Sequence, residues 1–385
     1  MYCIKEDEMS EFQYIGFRAI DGPVSEKNLK FMRQQSSRAE ITPWSFDNEY
    51  HYGDFHGHTA EMLRRGYDFH FHYANFGIRT LMMRLPNGLP DAKAAAPYLE
   101  PESLFFKKDK DGKGGIICID PCFEAGELDE LWDLDSFLDR LLPLRSEILD
   151  GDLRPLYLAH LAVASDYNHN PEEEKDAPVP AGLNKLTNAQ QALAELYGLG
   201  EGLLAAAAQD SPALPTHADS HNQYGAWLQS LPETTKVAWL SQLMAEPRSS
   251  VRSNILAAFH KGQGSSSWPT RFVERTIAEL RSRGEERQRE INRQKAEKSA
   301  RRRAKKLAAM AADPHPTLRK TEQFAKERTR EAYDKIGKLL ADLREALAGS
   351  DRSGLAEQQA RKLKDDNPTL NHLTAALRRQ GFLKK

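Results

Sequence analysis

Residues 68–86, DFHFHYANFGIRTLMMRLP, carry the clearest structural signal in this 385-residue chain. Two runs of strand-forming residues flank Asn75–Phe76–Gly77, a pattern that predicts a β-hairpin. Successive side chains of a strand point to opposite faces of a sheet. We therefore expect the aromatic rings of Phe69, Phe71 and Tyr73 on one face, and His70 and His72 on the other.

The segments around this hairpin predict an α+β domain. Residues 12–20, FQYIGFRAI, form a candidate strand, and Ser25 is a suitable N-cap for a helix that runs to about Gln35. Residues 103–120 predict a second hairpin that turns at Asp111–Gly112. This order of strands and helices indicates a mostly antiparallel sheet, with a ferredoxin-like arrangement as the candidate topology.

The chain beyond residue 128 is predicted to be mainly helical. Its apolar residues recur at helical spacing, whereas 171–182 and 262–269 are rich in Pro, Gly or Ser and are typical of linkers. A helical hairpin is expected over residues 236–261, with Leu240 and Leu243 among its buried residues. These boundaries predict an α+β domain over 9–170, a helical region over 183–262 and a basic helical arm over 271–385.

Within the arm, residues 271–312 contain no Pro and only one Gly, which predicts one long helix. A single amphipathic helix is expected from Pro316 to Ala348. A final helix pair, 355–363 and 368–379, could be a helix-turn-helix element. Its acidic connection at Asp365–Asp366 favours simple packing of the two helices instead.

Charge is distributed very unevenly along the chain. Residues 271–385 contain 30 Lys and Arg against 17 Asp and Glu, while the preceding residues contain 24 basic and 39 acidic side chains. A strongly cationic region is a candidate for an anionic partner. The candidate nucleic-acid-binding residues are Arg287, Arg293, Arg301, Arg302, Arg303, Lys305 and Lys306.

Three interpretations of this basic helix remain open. Its charges could follow nucleic-acid phosphates, or they could contact an acidic protein surface, such as residues 124–139 of the chain itself. The helix could also be a solvated one that Glu and Arg pairs at i, i+4 stabilise. No aromatic residue lies between 281 and 306, which argues against base stacking with single strands.

A histidine-rich segment supports an alternative hypothesis. His51, Asp54, His56, His58, His70 and His72 lie within 22 positions, so a metal-dependent enzyme with a site on the N-terminal sheet is the alternative function. The sequence contains no phosphate-binding glycine loop and no nucleophile elbow. We therefore assign no catalytic residue, cofactor or metal ligand, and favour a non-enzymatic protein.

The three cysteines include no Cys-x-x-Cys pair. The sequence also contains no secretory signal and no run of 18 apolar residues. These features predict a cytoplasmic protein without membrane contact.

Four segments of the chain resemble the pattern of a bacterial protein family with no assigned activity. They are SSRAEITPWSFDNEYHYGDF, NPTLNHLTAALRRQGFL, residues 67–86 and residues 141–162. The resemblance implies a bacterial cytoplasmic protein built as one unit. Taken together, we expect an adaptor or scaffold with a protein partner, whose basic arm contacts nucleic acid or an acidic protein surface.

Overall fold

The structure, a computed structural model, describes residues 11–51, 53–165, 170–214, 217–245, 251–262 and 268–384. Its strands are β1 Gln13–Arg18, β2 Glu40–Ile41, β3 Ser45–Tyr50, β4 Phe69–Ala74, β5 Arg79–Leu85, β6 Leu104–Lys108, β7 Gly115–Ile119, β8 Val179–Pro180 and β9 Thr270–Arg271. Its first eight helices are α1 Glu26–Arg33, α2 Thr59–Arg65, α3 Ala92–Ala95, α4 Leu134–Leu141, α5 Pro143–Leu149, α6 Arg154–Val163, α7 Asn188–Leu196 and α8 Glu201–Ala208. The remaining helices are α9 His217–Ser230, α10 Glu233–Ala245, α11 Val251–Gly262, α12 Ile277–Ala312, α13 His315–Glu327, α14 Arg330–Ala346, α15 Leu355–Asp366 and α16 Asn371–Arg379.

The N-terminal sheet confirms the α+β prediction. Its strand order is β2-β3-β1-β4-β5-β7-β6, and all neighbouring strands pair antiparallel. The segment from β1 to β4 has the order β-α-β-β-α-β, with β1 between β3 and β4, which is the ferredoxin-like arrangement. Strand β5 forms a hairpin with β4, and the β6–β7 hairpin extends the sheet further, with β7 next to β5.

Both faces of the sheet are covered. Helices α1 and α2 pack on one face through Leu29, Met32, Met62 and Leu63, against Ile15, Phe17 and Phe46. On the opposite face, Phe69, Phe71 and Tyr73 belong to a larger core with α4 to α7. The predicted alternation along β4 is therefore confirmed, because His70 stacks on Phe17 at a ring distance of 4.2 Å, on the α1–α2 side.

The segment expected as a linker, residues 171–182, is part of the folded core. Strand β8 within it pairs with β9, and Asp176 is buried against Arg275 with a shortest N···O distance of 2.6 Å. These contacts also explain why α12 begins at Ile277 and not at Arg271. Of the second expected linker, residues 263–267 lie outside the described part of the chain.

Two further helical predictions differ from the structure. The helix expected to run to Ala348 is divided into α13 and α14, because Arg328 adopts a left-handed conformation with φ of 53° and Thr329 caps α14. In the expected hairpin of α10 and α11, Leu240 and Leu243 are 62 % and 56 % exposed. Helix α10 contacts its neighbours through Trp239, whose ring lies 6.1 Å from that of Trp227, so its other apolar residues face solvent.

The chain divides into two compact units, Met1–Arg289 and Glu290–Lys385. The boundary between these two units falls inside α12. The second unit has its own core, in which α14 contacts α13, α15 and α16 through residues that include Ile336, Leu340 and Leu343. None of the described helices is both long and apolar enough to cross a membrane.

Candidate functional site

Helix α12 is anchored to the first unit at its N-terminal end. Ile277 and Leu280 are buried, and the backbone N–H of Gly202 in α8 donates to Oε1 of Gln288 at 2.8 Å. Gly284 and Gly202 let the two backbones approach closely, since a Cβ on Gly202 would lie 2.3 Å from the Gly284 carbonyl oxygen. The first part of the predicted basic arm is therefore bound to the folded body.

The middle segment of α12 contains no buried residue. Every residue from 292 to 306 is exposed, and we call this segment the free helix. It holds eight Lys and Arg and a single acidic residue, Glu297. Fifteen residues of α-helix are about 22 Å long. A helix segment without buried residues gains little from burial, so its stability depends on helix-forming residues and side-chain pairs.

One side of the free helix faces the second unit. Arg303 lies 2.6 Å from Glu345, and Lys306 lies 2.6 Å from Asp342, both acidic groups on α14. One turn further on, Leu307 and Met310 join the core of this unit. These contacts fix the rotation of the helix and therefore determine which charges point away from α14.

Four of the eight cations of the free helix lie away from its contacts with α14 and form a group. At 100° per residue, Lys298, Arg301 and Lys305 point away from α14, and Arg302 lies on the flank. None of these four, which we call the outward cations, forms an ion pair with any described residue. Their charges are available to an external anion.

The predicted site residues thus fall into four groups. Arg301, Arg302 and Lys305 are outward cations, whereas Arg303 and Lys306 bind α14, and Arg293 pairs with Glu290 along the helix at 2.8 Å. Arg287 belongs to the anchored part and contacts the side-chain amide of Gln209 in the first unit. Lys298 was missed, and the spacing of Leu307 and Met310 was the signal that could have indicated its outward position.

The histidine-rich segment does not form a comparable site. His70 is buried, its Nδ1 donates to the Gly16 carbonyl at 3.0 Å, and burial lowers its pKa to about 3. His72 donates from Nε2 to Gln13 at 2.9 Å, and burial also lowers its pKa. Among the described residues, no group of three or more His, Cys, Asp and Glu side chains could hold a metal ion. The geometry therefore gives the metal-enzyme hypothesis no support.

The acidic segment 124–139 is partly engaged within the first unit. Asp135 and Asp139 of α4 form ion pairs with Arg18 of β1, which also binds Asp47 at 2.8 Å. Trp132 in the same segment is 79 % exposed.

Comparison with known proteins gives no identification. No protein-family model, curated protein or solved structure matches the chain.

Proposed function

We propose that the protein is a non-enzymatic adaptor of the bacterial cytoplasm, whose free helix binds the phosphate backbone of nucleic acid. The observation that carries this proposal is the set of outward cations on a helix segment in which every residue is exposed. Cations placed along phosphates release counterions on binding, so the interaction is independent of sequence and weakens as salt rises.

The composition of the helix favours nucleic acid over an acidic protein surface. Protein interfaces have an apolar centre enriched in aromatic residues and Met. Between 292 and 306 the free helix offers only Ala as an apolar residue. A helix about 10–12 Å in diameter also matches the width of the major groove of duplex DNA, about 12 Å.

A charge-neutralised variant tests the proposal. In K298Q/R301Q/R302Q/K305Q, Gln preserves the helix while four positive charges are lost. We expect its affinity for a 30-bp duplex in 100 mM salt to fall at least tenfold, measured by fluorescence anisotropy. For the wild type, the logarithm of the affinity should fall with the logarithm of salt concentration with a slope of about −3.6 or steeper, from about −0.9 for each contact.

A matched variant controls for bulk charge. R319Q/K326Q/R330Q/K338Q removes four exposed cations of the same unit, which form no ion pair with described residues. It should retain most of the affinity. An equal loss in both variants, or binding that salt does not affect, would contradict the proposed role of the free helix.

An adaptor also needs a surface that binds a protein partner, and α10 is the candidate for this surface. Val237, Leu240, Leu243 and Met244 are 51 %, 62 %, 56 % and 88 % exposed and form an apolar surface. Contiguous exposed apolar surfaces of this kind mark interaction sites. After nuclease treatment, an affinity pull-down from the host should recover a partner with the wild type and lose it with L240E/M244E. Equal recovery with both proteins would argue against α10.

A further inference from the structure

Helices α15 and α16 form a compact pair at the end of the second unit. Asp365 and Asp366, expected in the connection, are the last residues of α15. The connection is therefore only four residues, 367–370, which is the turn length of a helix-turn-helix element. Asn367 closes the end of α15 by donating from its side chain to the Leu363 carbonyl at 3.0 Å.

The pair is held by small buried side chains. Ala356, Ala360 and Leu363 of α15 lie in one core with Leu373, Ala376 and Leu377 of α16. Helix α14 supports both, and it approaches α16 so closely that a Cβ on Gly337 would lie 3.3 Å from the Ala376 carbonyl oxygen. Helix α16 is therefore supported along its inner face by two other helices.

The outer face of α16 is polar. Asn371, His372, Ala375 and Arg378 are exposed, and the side chains of Asn371 and His372 make no hydrogen bond to any described residue. Arg378 donates from Nε to the backbone of Lys384 at 3.2 Å, which leaves its terminal guanidinium nitrogens at the surface. This face has no large apolar group that would seek a protein partner.

We propose that α15, the four-residue turn and α16 form a helix-turn-helix element in which α16 enters the major groove of duplex DNA. Asn pairs with adenine and Arg with guanine through their edges in that groove, and Ala375 between them permits close approach. The second unit has 24 basic and 13 acidic residues, so its charge complements DNA. The inference rests on the proposed function for affinity and adds recognition of sequence.

The test uses the full-length protein and a pool of 30-bp duplexes with a randomised 16-bp centre. We expect the wild type to enrich a motif of a few base pairs over repeated rounds. N371A/R378A should bind the starting pool within about threefold of the wild type but enrich no motif. R319A, which truncates an exposed Arg of α13, should enrich the wild-type motif, and circular dichroism should show that both variants are folded.

The outcomes separate this inference from the proposed function. If the wild type binds the pool in a salt-dependent way but enriches nothing, or if N371A/R378A enriches the same motif, the helix-turn-helix inference is overturned while the free helix keeps its role. If a motif depends on α16 but neutralising the outward cations leaves affinity unchanged, the inference stands and the proposed function of the free helix falls.

Discussion

At the scale of single residues, a buried arginine connects the sheet to the helices that cover it. The side chain of Arg145 in α5 is 1 % exposed and donates to both carboxylate oxygens of Asp21, at 3.0 and 2.6 Å, and to the Arg84 carbonyl at 2.6 Å. A bidentate pair of this kind is strong because both charges are satisfied in one geometry. Without the guanidinium of Arg145, the negative charge of the Asp21 carboxylate would be left uncompensated.

We therefore expect R145M to lower the free energy of unfolding of the first unit by about 3–5 kcal/mol. Chemical denaturation followed by intrinsic fluorescence would measure the change. R140M is the matched control, because Arg140 on the preceding helix forms an exposed ion pair with Glu195 that should contribute about 1 kcal/mol at most. Equal losses would show that burial of Arg145 is not the cause.

His70 makes the stability of the first unit depend on pH. Its pKa is about 3 in the folded protein, whereas an exposed His titrates near 6.5, so below pH 6.5 the unfolded chain binds a proton that the folded chain does not. This difference destabilises the fold progressively as pH falls from 6.5 towards 3. From pH 6.5 to 5 the loss due to this group should be on the order of 1–2 kcal/mol.

The variant H70F keeps an aromatic ring against Phe17 and removes the titrating group. The fall in its free energy of unfolding between pH 6.5 and 5 should be smaller than that of the wild type by this amount. H58Q alters an exposed histidine and should show the wild-type pH dependence. If the free energy of unfolding of H70F depends on pH as in the wild type, a group other than His70 is responsible for the pH dependence.

At the scale of elements, the contact between α8 and α12 depends on two glycines. G202A should destabilise the first unit by about 1–3 kcal/mol, because the new Cβ has no space beside Gly284 and Gln288. G225A in α9 is the comparison, since a Cβ there meets no atom within 4 Å, and it should stabilise its helix by up to about 1 kcal/mol. Thermal unfolding would measure both, and a stabilising G202A would contradict the close contact.

Some elements could be predicted from sequence and others could not, for physical reasons. The β4–β5 hairpin was predicted because alternation and a turn are local signals. The division at Arg328 was not, since a left-handed residue other than Gly or Asn leaves little trace in a pattern. The start of α12 was misplaced because β9 and Arg275 are held by residues almost 100 positions earlier, which helix propensity does not include.

At the scale of the whole molecule, the two units carry opposite charge. Residues 1–289 contain 30 basic and 43 acidic side chains, whereas residues 290–385 contain 24 and 13. At low ionic strength and pH 7.5, we expect the protein to bind both anion and cation exchangers. The variant K298Q/R301Q/R302Q/K305Q should elute from a cation exchanger at lower salt and keep its anion-exchange behaviour. If the wild type fails to bind the cation exchanger, the outward cations are neutralised and the nucleic-acid proposal fails.

At the candidate site too, some residues could be identified from the sequence, whereas the placement of others depends on tertiary contacts. Charge density in the sequence identified Arg301, Arg302 and Lys305, which remain candidates for phosphate contact. It could not exclude Arg287, because only the fold places that residue beside Gln209. Charge density alone also did not single out Lys298, because the direction of this side chain follows from the packing of Leu307 and Met310 and from the contacts of Arg303 and Lys306 with α14.

The two edge strands of the seven-stranded sheet are poor partners for a strand of another molecule. Strand β2 is only two residues long, and β6 ends in the exposed residues Lys107 and Lys108. Short or lysine-bearing outer strands oppose the addition of a further strand from a neighbouring molecule. We therefore expect a concentrated solution of the protein to gain little from edge-to-edge pairing at β2 or β6.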